Sequence, residues 1–116
     1  MNKIVKEKWL KALRNGEYEQ GKNALKPNGT YCCLGVLCEL HRLEVKRDDW
    51  GELEDNAEGS IYLEMEYELP DEVIEWAGLS SGNPGIDHNE EMDSLAYIND
   101  EVADFEEIAD FIEEQL

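Results

Sequence analysis

Apolar positions follow a helical period at both ends of the chain and change character in between. In residues 3–14, Val5, Trp9, Ala12 and Leu13 share one side of a helix turning ~100° per residue. Lys3, Lys8, Lys11 and Arg14 lie on the other side, and Asn15-Gly16 is a natural stop. Residues 15–30 lack any period and read as an irregular segment anchored by Tyr18 and Leu25. Thr30 is placed to cap a helix over 31–43. That helix is apolar on most faces, with Gly35, Glu39 and Arg42 as a polar arc and His41 and Glu44 as isolated polar points. Such a helix belongs in the centre of a core.

Residues 44–60 are polar and acidic, with a lone Trp50, and read as a turn or exposed excursion. The next stretch, "IYLEMEYEL", alternates strictly. Ile61, Leu63, Met65, Tyr67 and Leu69 face one way and Glu64, Glu66 and Glu68 the other, which predicts a half-buried strand over 61–69. Residues 43–47 are its expected antiparallel partner. Pro70 opens a short helix over 71–77, ended by Gly78. Residues 79–89 read as a loop and 90–98 as a helix. The last helix, 105–115, carries Phe105, Ile108, Ala109 and Ile112 on one stripe and Glu106, Asp110, Glu113 and Glu114 opposite. Asp104 and Glu107 form a capping-box pair at its start. The elements describe one α+β domain over residues 1–116, mostly helical, with about five helices and one small β-hairpin.

Charge changes the picture most. The 116 residues carry a net charge of −19. Residues 1–47 hold all ten Lys and Arg against five acids, a net of +5, and residues 48–116 hold 24 acids and no Lys or Arg. The acidic part repels nucleic acid and anionic membranes and suits a basic partner. No apolar run approaches the ~20 residues of a membrane span. "MNKIVKEKWLKAL" lacks the apolar stretch of a secretion signal, so a cytoplasmic location is expected.

The three cysteines, Cys32, Cys33 and Cys38, fall within "TYCCLGVLC". On a helix they project roughly 100°, 200° and 340° from Tyr31, so they cannot grip one metal or pair with one another. Cys33 suits a core. Cys32 lies in a first helical turn, where the backbone dipole lowers a thiol pKa, and His88 is its only candidate base from a loop. An anion-friendly locus combines that helix start with Arg14, Tyr18, Gln20, Lys22, Lys26, Tyr31 and Cys32. No phosphate-loop, metal or cofactor motif occurs.

The blocks "WLKALRNGEYEQGKNAL", "YCCLGVLCEL", "LPDEVIEWAGL" and "LAYINDEVADFEEIADFIE", in that order, resemble a family of small uncharacterised proteins of tailed bacteriophages and prophages. Members carry Gly and Ser where this chain has Val102 and Ala103, which marks the entry to the last helix as a departure. The resemblance implies a phage accessory protein in the infected host cytoplasm and supplies no catalytic residues. Three readings stand. The first is a host-directed inhibitor of the anti-defence type, with a DNA mimic as one version, whose Glu64, Glu66, Glu68, Glu106, Asp110, Glu113 and Glu114 meet a basic bacterial protein. The second is a sponge for a small nucleotide-like signal at the Arg14–Tyr31 locus. The third is a thiol enzyme built on Cys32. The first expects no enzyme activity, no cofactor, no metal and no direct nucleic-acid or membrane binding.

Overall fold

In the computed structural model, which describes residues 1–52 and 59–116, the chain begins with α1 (Lys3–Arg14). The Asn2 side chain caps it by accepting from the Val5 N–H, and Val5, Trp9, Ala12 and Leu13 are buried as their spacing predicts. The following segment is irregular except for β1 (Lys26–Pro27), and Leu25 is fully buried within it.

α2 (Cys33–Val45) starts later than expected. Its cap is Cys32, whose Sγ accepts from the Gly35 N–H at 3.4 Å, while the Thr30 hydroxyl donates to the Pro27 carbonyl and closes a turn. Gly35 is required by packing: a Cβ there would lie 1.8 Å from the Leu25 carbonyl oxygen. That carbonyl accepts from the Cys32 N–H, so loop and helix start are drawn together. α2 lies against α1, α3 and α4, and Glu39 and His41 are buried with its apolar residues. The expected polar arc is therefore inside the protein over much of its length. The helix extends through Leu43 and Val45, so residues 43–47 form no strand. Lys46 ends it in the left-handed region at φ 56°.

The excursion over 44–60 is only partly irregular. Trp50 is buried; β2 (Gly51–Glu52) and β3 (Gly59–Ile61) pair antiparallel, and β1 joins the other edge of β3. Residues 53–58 lie outside the described residues. The expected strand over 61–69 stops at Ile61. Leu63 and Glu64 adopt left-handed φ of 49° and 70°, and Tyr62 and Met65 exchange both backbone hydrogen bonds across them. This turn reverses the chain, buries Tyr62 and leaves Tyr67 exposed, so the alternation no longer maps onto two faces.

α3 (Asp71–Ala77) ends at Gly78 in the left-handed conformation. The hairpin is β4 (Gly85–His88) with β5 (Glu91–Ser94), turning through left-handed Asn89 and Glu90. It replaces part of the expected loop and the first half of the expected helix. α4 (Leu95–Glu101) begins where the Ser94 hydroxyl accepts from the Tyr97 N–H. α5 (Phe105–Gln115) starts at Asp104, which accepts from the Glu107 N–H, and packs on α1, α4 and β4.

Candidate partner-binding surface

The outer face of α5 carries Glu106, Asp110, Glu113 and Glu114, all exposed, above the buried Phe105, Ile108, Ala109 and Ile112. Two of the four carboxylates are engaged inside the molecule. The Arg14 guanidinium donates to Asp110 at 2.8 Å and to Glu113 at 2.6 Å, and its pKa is raised by those hydrogen bonds, that with Glu113 first. Lys6 donates to the Glu113 carbonyl from α1. Glu64, Glu66 and Glu68 occupy the turn after Tyr62; Glu64 and Glu68 are exposed and Glu66 is half-buried. These three glutamates share no strand face.

The residues of the anion-friendly locus are divided among separate tasks. Arg14 clamps α1 to α5. Gln20 donates to the Asn99 carbonyl, the Asn99 side-chain oxygen and the Ala103 carbonyl. Tyr18 and Tyr31 meet edge to face at 5.1 Å, and the Lys26 ammonium stands 5.3 Å from the rings of both Tyr31 and Trp50. Lys22 is exposed. Cys32 is buried at its capping position, and burial pushes its thiol up to about 11, outweighing the backbone N–H groups that pull it down. Desolvation dominates at this helix start, contrary to the lowering expected there. His88 packs edge to face on Phe111 and stands 3.9 Å from Asp93, so the Cys32–His88 pair is not assembled. Among the described residues no group of three His, Cys, Asp or Glu side chains is arranged to hold a metal.

Two buried polar networks escaped sequence reasoning. In the first, Glu39 accepts from the Trp50 indole at 3.0 Å and from Arg42 through two nitrogens at 2.6 and 2.8 Å. Desolvation opposes the Glu39 charge, but these donors hold its pKa below the ordinary value. Beside it, His41 Nδ1 meets the Tyr62 hydroxyl at 2.6 Å and His41 Nε2 meets Glu72 at 3.1 Å. Burial lowers the His41 pKa and pushes the Tyr62 hydroxyl up to about 12. The second network centres on Asn99. Its amide nitrogen donates to the Gly21 carbonyl and to Asp100, and its oxygen accepts from the Cys33 N–H. The only sequence signal for either was a polar residue inside an apolar run.

Two concavities matter for the surface. A cleft of about 690 Å³ is lined by Lys46, Arg47, Asp48, Asp49, Tyr62 and Glu64, among other described residues. A smaller pocket of about 170 Å³ lies between Tyr67, Glu68, Asn83, Ala96 and Asp100.

The fold and surface define a small α+β domain whose interior polar groups serve its own architecture and whose outside is rich in carboxylates. No helix among the described residues is long and apolar enough to cross a membrane. The chain belongs to the family described as "Domain of unknown function (DUF8296)", whose sequence profile matches residues 1–116. No curated protein and no solved structure matches it.

Proposed function

We propose that the protein acts by binding: its acidic half covers a basic surface on a bacterial protein and inhibits it in the cytoplasm of a phage-infected cell. The charge imbalance carries this reading. Residues 48–116 bring 24 carboxylates and no Lys or Arg. Among the described residues, only Asp110 and Glu113 from that half pair with a Lys or Arg, and Glu72 and Asp93 stand 3.1 and 3.9 Å from the rings of His41 and His88. Glu64, Glu68, Glu106 and Glu114 are exposed and stand outside those pairs. Such a field repels phosphates, attracts Lys- and Arg-rich surfaces and speeds encounter with them at low salt. The DNA-mimic version assigns the phosphate role to Glu106, Asp110, Glu113 and Glu114 along α5.

The test is capture from bacterial lysate on the tagged protein at low and at high salt, followed by assay of the captured protein's own activity. The reading expects a basic protein that is lost at high salt and loses activity when this protein is added. A partner held equally well at high salt, or one whose activity is untouched, overturns it.

A second reading, sequestration of a small nucleotide-like anion, is favoured by one observation. Lys46 and Arg47 line the 690 Å³ cleft beside Tyr62, within the size range of small-molecule sites, with Asp48, Asp49 and Glu64 opposing an anion in the same lining. The Arg14–Tyr31 locus gives it no support, because Arg14 and Gln20 are engaged elsewhere. Mass spectrometry of small molecules released on denaturation tests it; an empty eluate counts against it.

A further inference from the structure

We propose that the pocket between Tyr67 and Asp100 receives an arginine side chain of the basic partner; the inference rests on the acidic-surface reading above. The pocket holds about 170 Å³. Sites for whole small molecules occupy roughly 300–1,000 Å³, so this one matches a single side chain. Tyr67 forms one wall and is 60% exposed, an unusual amount of aromatic surface to leave in water. Of the two exposed aromatic residues, Tyr67 and Tyr97, only Tyr67 lines this pocket.

The polar groups around the ring fit a cation. Asp100 Oδ1 accepts from the Asn23 N–H and from the Asn99 amide, each at 3.0 Å, which fixes the carboxylate. Its second oxygen receives no hydrogen bond from the described residues. Glu68 lines the same pocket, is exposed and forms no ion pair with described residues. The neighbouring Glu66 carboxylate raises the pKa of the Tyr67 hydroxyl. Ala24 and Ala96 give the pocket a small apolar lining against which a methylene stem can pack. An aromatic face, a fixed carboxylate oxygen and a second carboxylate together suit a planar guanidinium. It can lie on a ring while its N–H groups reach two acceptors. A lysine ammonium satisfies fewer of these groups at once, so the pocket selects arginine over lysine.

The test is titration of isotope-labelled protein with an oligo-arginine peptide and an oligo-lysine peptide of equal length, followed by NMR at low salt. The arginine peptide is expected to bind more tightly, with the largest amide shifts at Ala24, Tyr67, Glu68 and Asp100. Tyr67→Ala should weaken it about tenfold and remove the preference over lysine. Glu68→Gln, a milder change at an exposed position, should weaken it less in the same direction. If both peptides bind but the shifts spread along α5 and Tyr67→Ala binds as wild type, the pocket assignment fails and the acidic-surface reading stands. If neither peptide binds at low salt, both fail.

Discussion

The carbonyl oxygen of Leu25 occupies the space where a side chain on Gly35 would begin, 1.8 Å from the ideal Cβ position. Leu25 is fully buried, and its carbonyl also accepts from the Cys32 N–H, so the loop cannot retreat without breaking the start of α2. Gly35→Ala should therefore destabilise by about 3 kcal/mol or more, although alanine favours helices elsewhere. Urea unfolding of the two proteins checks this; a variant as stable as the parent would show that the loop yields.

His41 should make stability depend on pH in one direction. Its folded pKa lies below the ordinary 6.5 because burial disfavours the charged ring. Glu72 and Glu44 favour the charge, and Arg47 opposes it. The unfolded chain then binds more protons than the native one near and below pH 6.5, so this contribution is complete above that value and declines as the pH falls. Unfolding free energies measured stepwise from neutral to mildly acid pH should show the decline, and His41→Asn should flatten it.

Cys32 should behave as an inert thiol. It is buried, and its pKa is raised to about 11, so little thiolate exists at neutral pH. Alkylation in the native protein should be far slower than in denaturant. Cys32→Ala should cost about 1–2 kcal/mol through loss of the cap and of packing. Rapid native alkylation at Cys32 would revive a thiol chemistry that the geometry otherwise disfavours.

Added salt should raise the thermal midpoint. The net charge of −19 repels itself in the folded state, whereas Arg14–Asp110, Arg14–Glu113 and Lys8–Glu44 are exposed pairs of modest worth. Screening weakens both effects, and the repulsion is the larger. A midpoint that falls between low and moderate salt would mean that the Arg14 clamp dominates.

α1 and α5 were legible in the sequence because each buries one stripe and leaves the other in water. The same held for α3, framed by Pro70 and Gly78. The stretch over 61–69 misled because its alternation matches a strand, whereas the fold reverses the chain at Leu63 and Glu64 to bury Tyr62 against His41. β5 was hidden because it has almost no apolar signature: Met92 is 72% exposed and, in the hairpin, only Ile86 is buried. Glu39 and His41 stood out only as polar points on an apolar helix because their partners, Trp50, Tyr62 and Glu72, are 11 to 31 positions away, beyond any helical period. Arg14 looked available for an anion for the same reason, since Asp110 and Glu113 lie at the far end of the chain.

Asn99 joins three stretches of backbone written far apart: the loop at Gly21, the first turn of α2 at Cys33, and α4, where it resides. These segments are consequently latched as one opening unit. In hydrogen exchange, the Cys33 amide would not report the fraying of its own helix alone. It would exchange only when α4 moves away, so one amide near the start of α2 times the opening of a helix more than sixty residues later.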